Sequence, residues 1–215
     1  MSQLLKVQNF FLSGDGFGTG EGQSQERPFG HANPAELAAW AGATASWPNR
    51  TDPGGSMGLD DHLVRDFHYN IGAEIMGRNK FGYQRGEWAD HEWLGWWGDE
   101  PPFHTPVFVM THHLRPSFTL SDTTFHFVDD EPAIVLDKAK DAADGKDVRL
   151  GGGVTVIREF LDAGLIDTLH IAMSPHVTLG SGERLWESPE ELFDRYHCDV
   201  IPSPSGVIHH LFWRK

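Results

Sequence analysis

The chain has 215 residues, 39% of them hydrophobic and 22% charged, with 24 glycines; this composition suits a folded core and excludes disordered and fibrous architectures. Lys and Arg number 17 against 31 Asp and Glu, a formal charge of −14, so a nucleic-acid polymer or an anionic membrane surface would be repelled. An anionic small molecule would need a local cluster of cations or backbone amides set against that field. A single cysteine, Cys198, excludes an intramolecular disulfide and a Cys-rich zinc site and points to a reducing compartment. The only apolar run near the N-terminus is Phe10, Phe11 and Leu12, so a cytoplasmic location is expected.

Val7, Asn9 and Phe11 alternate with Gln8, Phe10 and Leu12, which predicts a strand. It runs into residues 13–22, where glycine stands at 14, 16, 18, 20 and 22. Glycine at that density predicts either a mobile loop or a backbone that passes close to a ligand. Asn33 as N-cap, Pro34 at the first helical position and Glu36 at the third predict a helix propagated through 35–41. A loop rich in Pro, Gly, Ser and Asn over 47–58 precedes a helix opened by Asp60 or Asp61 and ending near Gly72. Residues 73–76 read as a short buried strand. Residues 82–106 carry Trp88, Trp93, Trp96 and Trp97 between glycines and Pro101-Pro102, and read as an ordered aromatic excursion rather than a linker.

The second half alternates more regularly. Strands are predicted at 107–111, 123–128, 147–150 and 168–179, with helices at 132–143, ended by Gly145, and at 155–163, ended by Gly164. Residues 196–201 and 207–213, joined by the turn-like 202–206, predict a terminal antiparallel hairpin. The expected architecture is a single α/β domain over residues 1–215, with a mostly parallel mixed central sheet flanked by helices and a C-terminal antiparallel hairpin.

Three predicted strand ends gather groups that can hold phosphate. At the first, a strand meets Gly151, Gly152 and Gly153 before a helix opens at Val154 and Thr155; backbone amides and the helix dipole there favour an anion, or the glycines only make a tight turn. The run is not the G-x-G-x-x-G fingerprint, because Val156 takes the place of its last glycine, and it lacks the Lys of a P-loop. At the second, Gly77, Arg78, Asn79 and Lys80 offer a planar fork of donors and a point charge, or simply two solvated cations. At the third, Thr111, His112 and His113 add a hydroxyl and two imidazoles. In a parallel sheet three such ends line one edge, as a nucleotide with several phosphates requires.

The 13 histidines do not form a metal-binding pattern: the members of His112-His113 and His209-His210 point to opposite faces of a strand, and His62 and His68 fall on different faces of a helix. Cys198, in a predicted strand, reads as a small buried residue rather than a nucleophile. Asp15, in the glycine loop, either faces a ligand or serves the turn. Glu36 either completes the cap of Asn33 or, if buried beside the sheet, is raised in pKa and donates a proton.

These segments are similar to the dihydrofolate reductase-like superfamily, and in particular to the riboflavin biosynthesis reductase (RibD C-terminal domain) family. The likeness is carried by Val7-Gln8-Asn9-Phe10 with Ser13-Gly14-Asp15-Gly16-Phe17, by Gly77-Arg78-Asn79-Lys80-Phe81-Gly82, and by the segments 106–113 and 149–153. Its most specific part is Ala163-Gly164-Leu165-Ile166-Asp167-Thr168-Leu169-His170-Ile171 with Pro175 and Leu179-Gly180-Ser181-Gly182. The resemblance implies a homodimeric, NADPH-dependent reductase. It also implies that Arg78, Asn79 and Lys80, after Gly77, meet the phosphates of the adenosine half, and that Thr111, His112 and His113 lie near the 2′-phosphate. Gly151, Gly152, Gly153 and Val154, with Thr155, would cradle the pyrophosphate. Asp15 and Gly16 would border the nicotinamide, and Glu36 would be the counterpart of the acid that anchors the pterin in dihydrofolate reductase. Lys80 stands where the family carries threonine, and the L-A-D-D-P substrate loop has no counterpart. The activity implied is direct hydride transfer from NADPH to a small heterocycle, with dihydrofolate and 5-amino-6-(5-phosphoribosylamino)uracil as candidate substrates. A non-catalytic nucleotide- or flavin-binding protein that retains the dinucleotide site is the other class. The Trp-rich segment 86–103 either walls the substrate pocket or packs as a lid or a dimer contact.

Overall fold

The computed structural model describes every residue except Met1, Asn49 and Thr51, so the expected loop at 47–58 lies partly outside the described residues. The chain opens with β1 (Leu5–Ser13) and β2 (Phe17–Thr19), then three helices, α1 (Pro34–Leu37), α2 (Ala39–Gly42) and α3 (Leu59–Arg65). There follow β3 (Ile71–Gly77), α4 (Arg78–Phe81), β4 (Val107–Met110), β5 (Phe118–Leu120), β6 (Thr123–Val128), α5 (Pro132–Ala142), β7 (Asp147–Gly152) and α6 (Val154–Asp162). The remainder is β8 (Thr168–Ser174), β9 (Glu183–Arg184), β10 (Tyr196–Pro202) and β11 (Ile208–Arg214), with single 3-10 turns at Asp66–His68 and Pro189–Leu192. The fold is α/β with a mostly parallel mixed sheet, and no helix among the described residues is long and apolar enough to cross a membrane.

Two compact units divide the described residues. The first comprises the chain up to Val7, Gln23–Pro28 and Asn70–Asp167. Its strands run in the order β1-β7-β3-β4-β6-β5; β7 is parallel to β1 and β3, β3 to β4 and β4 to β6, and only β5 is antiparallel. Every residue of β3 is buried, the near-continuous apolar run expected of a parallel strand covered on both faces. In β6, Thr123, Phe125 and Phe127 alternate inward and meet Phe81, Trp88 and Phe103, with Trp93 and Trp97 packed against that cluster. The aromatic excursion is therefore ordered core: Phe81 alone has five ring neighbours within about 6.5 Å. Strand β5 was not legible, because Ser121 in the turn before β6 takes a φ of 52° without a glycine to mark it.

The second unit comprises Gln8–Gly22, Phe29–Tyr69 and Thr168–Lys215, with strands in the order β10-β11-β8-β1. The expected hairpin is present, antiparallel from Tyr196↔Arg214 to Pro202↔Ile208. Strand β8 stops at Ser174 rather than 179, since Pro175 has no N–H for the ladder and the Val177 N–H turns back to the Ser174 carbonyl. The helix expected through 35–41 breaks at Ala38 into α1 and α2, which bury Leu37 and Trp40 respectively. Turns this short depend on packing rather than on helical cooperativity: Trp40 and Ala41 lie with Val64, Ala172 and Val207, and Leu37 lies with Ala32 and Val177. Cys198, expected buried, is half-buried on β10; burial and the neighbouring Asp199 and Glu190 push its thiol up to about 11, which leaves it unreactive.

Candidate functional site

The register of the first unit brings the three strand ends into one row, as the sequence predicts. Gly77 is paired with Met110, Met110 with Val128, and Met76 with Gly152, so β3, β4, β6 and β7 all terminate at the same edge. Helix α6 opens there, and a Cβ at Gly77 would lie 2.7 Å from Val156 Cγ2; Gly77 is glycine because α6 packs directly on the strand end. Gly153 is the N-cap of α6 and brings no side-chain acceptor, and a Cβ placed there meets nothing within 4 Å. The Gly152–Gly153 peptide is cis. Val154 is buried beneath the turn, and Thr155 is exposed. A helix N-terminus with no side chain over it and open space in front accepts an anion readily.

Arg78 follows directly. Its guanidinium stacks on Trp88 at 3.9 Å from the ring centroid and Nη1 donates to the Gly86 carbonyl, while Nε and Nη2 are buried without a partner. Burial first, and the charge of Arg85 next, lower its pKa and outweigh Glu87, whose charge raises it. Asn79 uses its carbonyl to receive Gln23 Nε2 at 2.9 Å. Lys80 turns inward, and its Nζ donates to Glu74 Oε1 at 2.9 Å.

At the end of β4, buried Thr111 receives the His113 N–H on its hydroxyl at 3.1 Å, and its own N–H reaches the Val128 carbonyl. His112 Nδ1 lies 2.7 Å from Asp129 Oδ1, and His113 Nδ1 lies 3.1 Å from Glu87 Oε1. Each imidazole thus faces a carboxylate.

In the second unit, Asp15 is a latch. Its Oδ1 receives the Ser13 hydroxyl at 2.6 Å and the Leu179 N–H at 3.1 Å, and its Oδ2 receives the Gly180 N–H at 2.7 Å. Partial burial pushes the carboxyl up, but these hydrogen bonds outweigh it and hold the pKa below the usual carboxylate value. The glycines around it answer to the protein's own backbone: a Cβ at Gly14 would lie 2.7 Å from the Pro175 oxygen, and one at Gly16, where φ is 86°, 2.4 Å from the Trp186 oxygen. The close approach expected of residues 13–22 is therefore intramolecular at these positions. Glu36 is exposed, and its Oε1 receives Asn33 Nδ2 at 2.9 Å while Asn33 Oδ1 caps the Ala35 N–H. Glu36 thus serves the cap through the side chain of Asn33, and it is not buried beside the sheet.

Two polar networks escaped the sequence reading. One is Glu74 with Arg149 and Lys80 in the first unit; the other joins Asp60, His209 and His170 in the second. The signal for the first was Glu74 alone among the uncharged residues of β3 and Arg149 between Val148 and Leu150 in β7. His209 and His210 do face opposite sides of β11, the former toward Trp40 and the latter toward Trp186. Among the described residues no group of three His, Cys, Asp or Glu is placed to hold a metal ion.

Comparison with known proteins bears on the fold and the family. Over its full length the chain superposes on a provisionally assigned riboflavin biosynthesis protein from Shewanella sp. PV-4, with TM-score 0.54, 19% identity, and coverage of 100% of this chain and 99% of that one. It also superposes on dihydrofolate reductase from Enterococcus faecalis, solved in complex with NADP(H) and RAB-propyl, with TM-score 0.52, 14% identity and coverage of 99% and 96%. At these identities the likeness is one of fold. No curated protein matches the sequence. Residues 7–192 match the family described as RibD C-terminal domain, a span that includes every strand end of the row, and the chain belongs to that family.

Proposed function

We propose that this protein is an NADPH-dependent reductase that delivers hydride to an electron-poor C=N or C=O carbon of a small heterocycle. The observation that carries the reading is the Arg78 guanidinium, buried with two unpartnered nitrogens at the head of a strand-end row that includes the open Gly153 turn. In a chain of charge −14, a guanidinium whose Nε and Nη2 find no acceptor supports a place for an anionic ligand. When bound, NADPH supplies the hydride, and the protein contributes binding, orientation and electrostatics. Arg78 takes a phosphate through its free donors, Trp88 holds the guanidinium plane, and the amides at the start of α6 take the pyrophosphate. Thr111, His112 and His113 read the 2′-phosphate, the imidazoles standing beside Asp129 and Glu87. Asp15 remains ionised and orders its loop, so the proton that follows the hydride comes from water. A homodimer in a reducing cytoplasm is part of this proposal, checked by light scattering on the eluting protein, where a monomer would refute it.

The test starts with binding. NADPH is expected to quench the fluorescence of the 8 tryptophans saturably, with NADH weaker. Arg78→Met should weaken NADPH by about 10- to 100-fold, the loss of a charge-assisted hydrogen bond. Failure of both nucleotides to bind would refute the reading. Loss of NADPH absorbance is then followed with dihydrofolate, 5-amino-6-(5-phosphoribosylamino)uracil and small carbonyls. Tight binding without consumption of NADPH on any of them would favour the second reading, a non-catalytic nucleotide-binding protein, for which the ionised Asp15 and the exposed Glu36 already speak.

A further inference from the structure

Beneath the triple-glycine turn lies a buried charge cluster that the contacts to phosphate do not require. Glu74, at the centre of β3, is fully buried, and its register partner on β7 is Arg149, also buried. Arg149 Nε donates to Glu74 Oε2 at 2.8 Å, Nη2 donates to the same oxygen, and Lys80 Nζ donates to Oε1 at 2.9 Å. Two cations share one carboxylate, so with Lys80 protonated the cluster carries one net positive charge; burial lowers the Lys80 pKa and Glu74 opposes that shift. Burial pushes Glu74 up, but the charges of Arg149 and Lys80 outweigh it and keep the carboxyl ionised.

The cluster is aimed. Gly151 lies two residues beyond Arg149 on the same face of β7, and a Cβ there would fall 2.2 Å from both Glu74 Oε1 and Lys80 Nζ. Gly151 is glycine because the charged groups occupy the place of its side chain. The net charge therefore sits against the backbone that leads through Gly152 and Gly153 into α6. Apolar residues filling the same volume are often equally or more stabilising than a buried ion triad, so stability alone does not account for it. Where solvent is largely excluded, as around Glu74 and Arg149, a charge is felt over several ångströms.

We propose that Glu74, Lys80 and Arg149 form a positioning element whose net positive charge sets the affinity of the Gly151–Gly153 turn for a phosphate-bearing ligand without touching it. The inference rests on the nucleotide reading above. Lys80 is the member that tips the balance, because Glu74 and Arg149 alone would be neutral.

The test uses the full chain, isothermal titration calorimetry, and NADPH and inorganic pyrophosphate as probes across a salt series. Lys80→Met keeps the length and the Glu74–Arg149 pair while removing the charge. Binding of both probes should weaken by roughly tenfold, with a shallower salt dependence. Lys80→Gln, which keeps a hydrogen bond to Glu74, should give the same result and replaces Lys80→Met if that variant does not fold. Glu74→Gln, which removes the only negative member, should bind NADPH at least as tightly as the wild type. Unchanged NADPH affinity in the Lys80 variants would overturn the proposal. So would equal losses in the Lys80 and Glu74 variants, because a packing role predicts both. Absence of binding by the wild-type protein would instead remove the nucleotide reading on which the proposal rests.

Discussion

The hydrogen bonds of His170 have a direction that its surroundings dictate. Its Nδ1 accepts the Asn9 N–H at 3.2 Å, so in the neutral ring the proton sits on Nε2, which donates to His209 Nδ1 at 2.9 Å; His209 Nε2 in turn donates to Asp60 Oδ1 at 2.8 Å. Asp60 also receives the hydroxyls of Ser203 and Ser205. Burial, with the nearby His209 and His210, lowers the His170 pKa to about 3 from 6.5. As pH falls below 6.5 the unfolded chain binds a proton that the native ring refuses, so stability is lost at up to about 1.4 kcal/mol per pH unit until about 3. The urea midpoint of the wild-type protein should therefore drop between about pH 6.5 and about pH 4.5. His170→Leu, though destabilised by about 1–3 kcal/mol because Asn9 N–H and His209 Nδ1 lose their partner, should show a flatter slope over that interval. An equal slope in the two proteins would mean that His170 is not the group responsible. Nothing local foretold this chain, since Asp60 and His209 stand 149 residues apart.

Among the elements, the glycine-rich stretches separate by what surrounds each residue. Gly16 combines a φ of 86° with a carbonyl where its Cβ would go, whereas Gly42, at the end of α2, has no atom within 4 Å of that place and no positive φ. Gly16→Ala should cost at least about 1–2 kcal/mol from the left-handed backbone alone. Gly42→Ala should be neutral or stabilising by up to about 1 kcal/mol. Thermal melts check the pair at about 2–4 °C per kcal/mol for a chain of this size; an unchanged midpoint for Gly16→Ala, or a loss for Gly42→Ala equal to it, would contradict the contacts described. Strand and helix positions were legible because periodicity and caps are local: the row of strand ends at Gly77, Thr111 and Gly151 followed from alternating strands and helices. Strands β2 and β9, of three and two residues, were not, because such short segments become strands only through their mutual pairing.

For the whole molecule, the charge of −14 implies self-repulsion at neutral pH that salt should screen. The melting midpoint at about pH 7.5 is expected to rise by a few degrees between about 10 mM and about 150 mM NaCl. Near the isoelectric point of about 5.2 that rise should shrink. A midpoint indifferent to salt at both pH values would show that the acidic residues are spaced too widely to repel one another. The same charge balance makes the strand-end cations informative: Arg78 keeps two nitrogens without an acceptor, while Lys80 and Arg149 share the single carboxylate of Glu74.

The sequence by itself determined the order of the elements, the parallel strand ends, the glycine turn after β7 and the family, since all of these are written in local periodicity, caps and short motifs. Which groups are buried, and against what, was decided by the tertiary structure. Glu36 was committed to its cap and Asp15 to the amides of Leu179 and Gly180 only when the chain folded. The fold likewise drew Lys80 away from the surface, because Glu74 and Arg149 lie 75 residues apart and meet solely through the parallel pairing of β3 with β7. A charge buried in one strand selects partners from whatever the neighbouring strand presents, and no spacing along the chain encodes that choice.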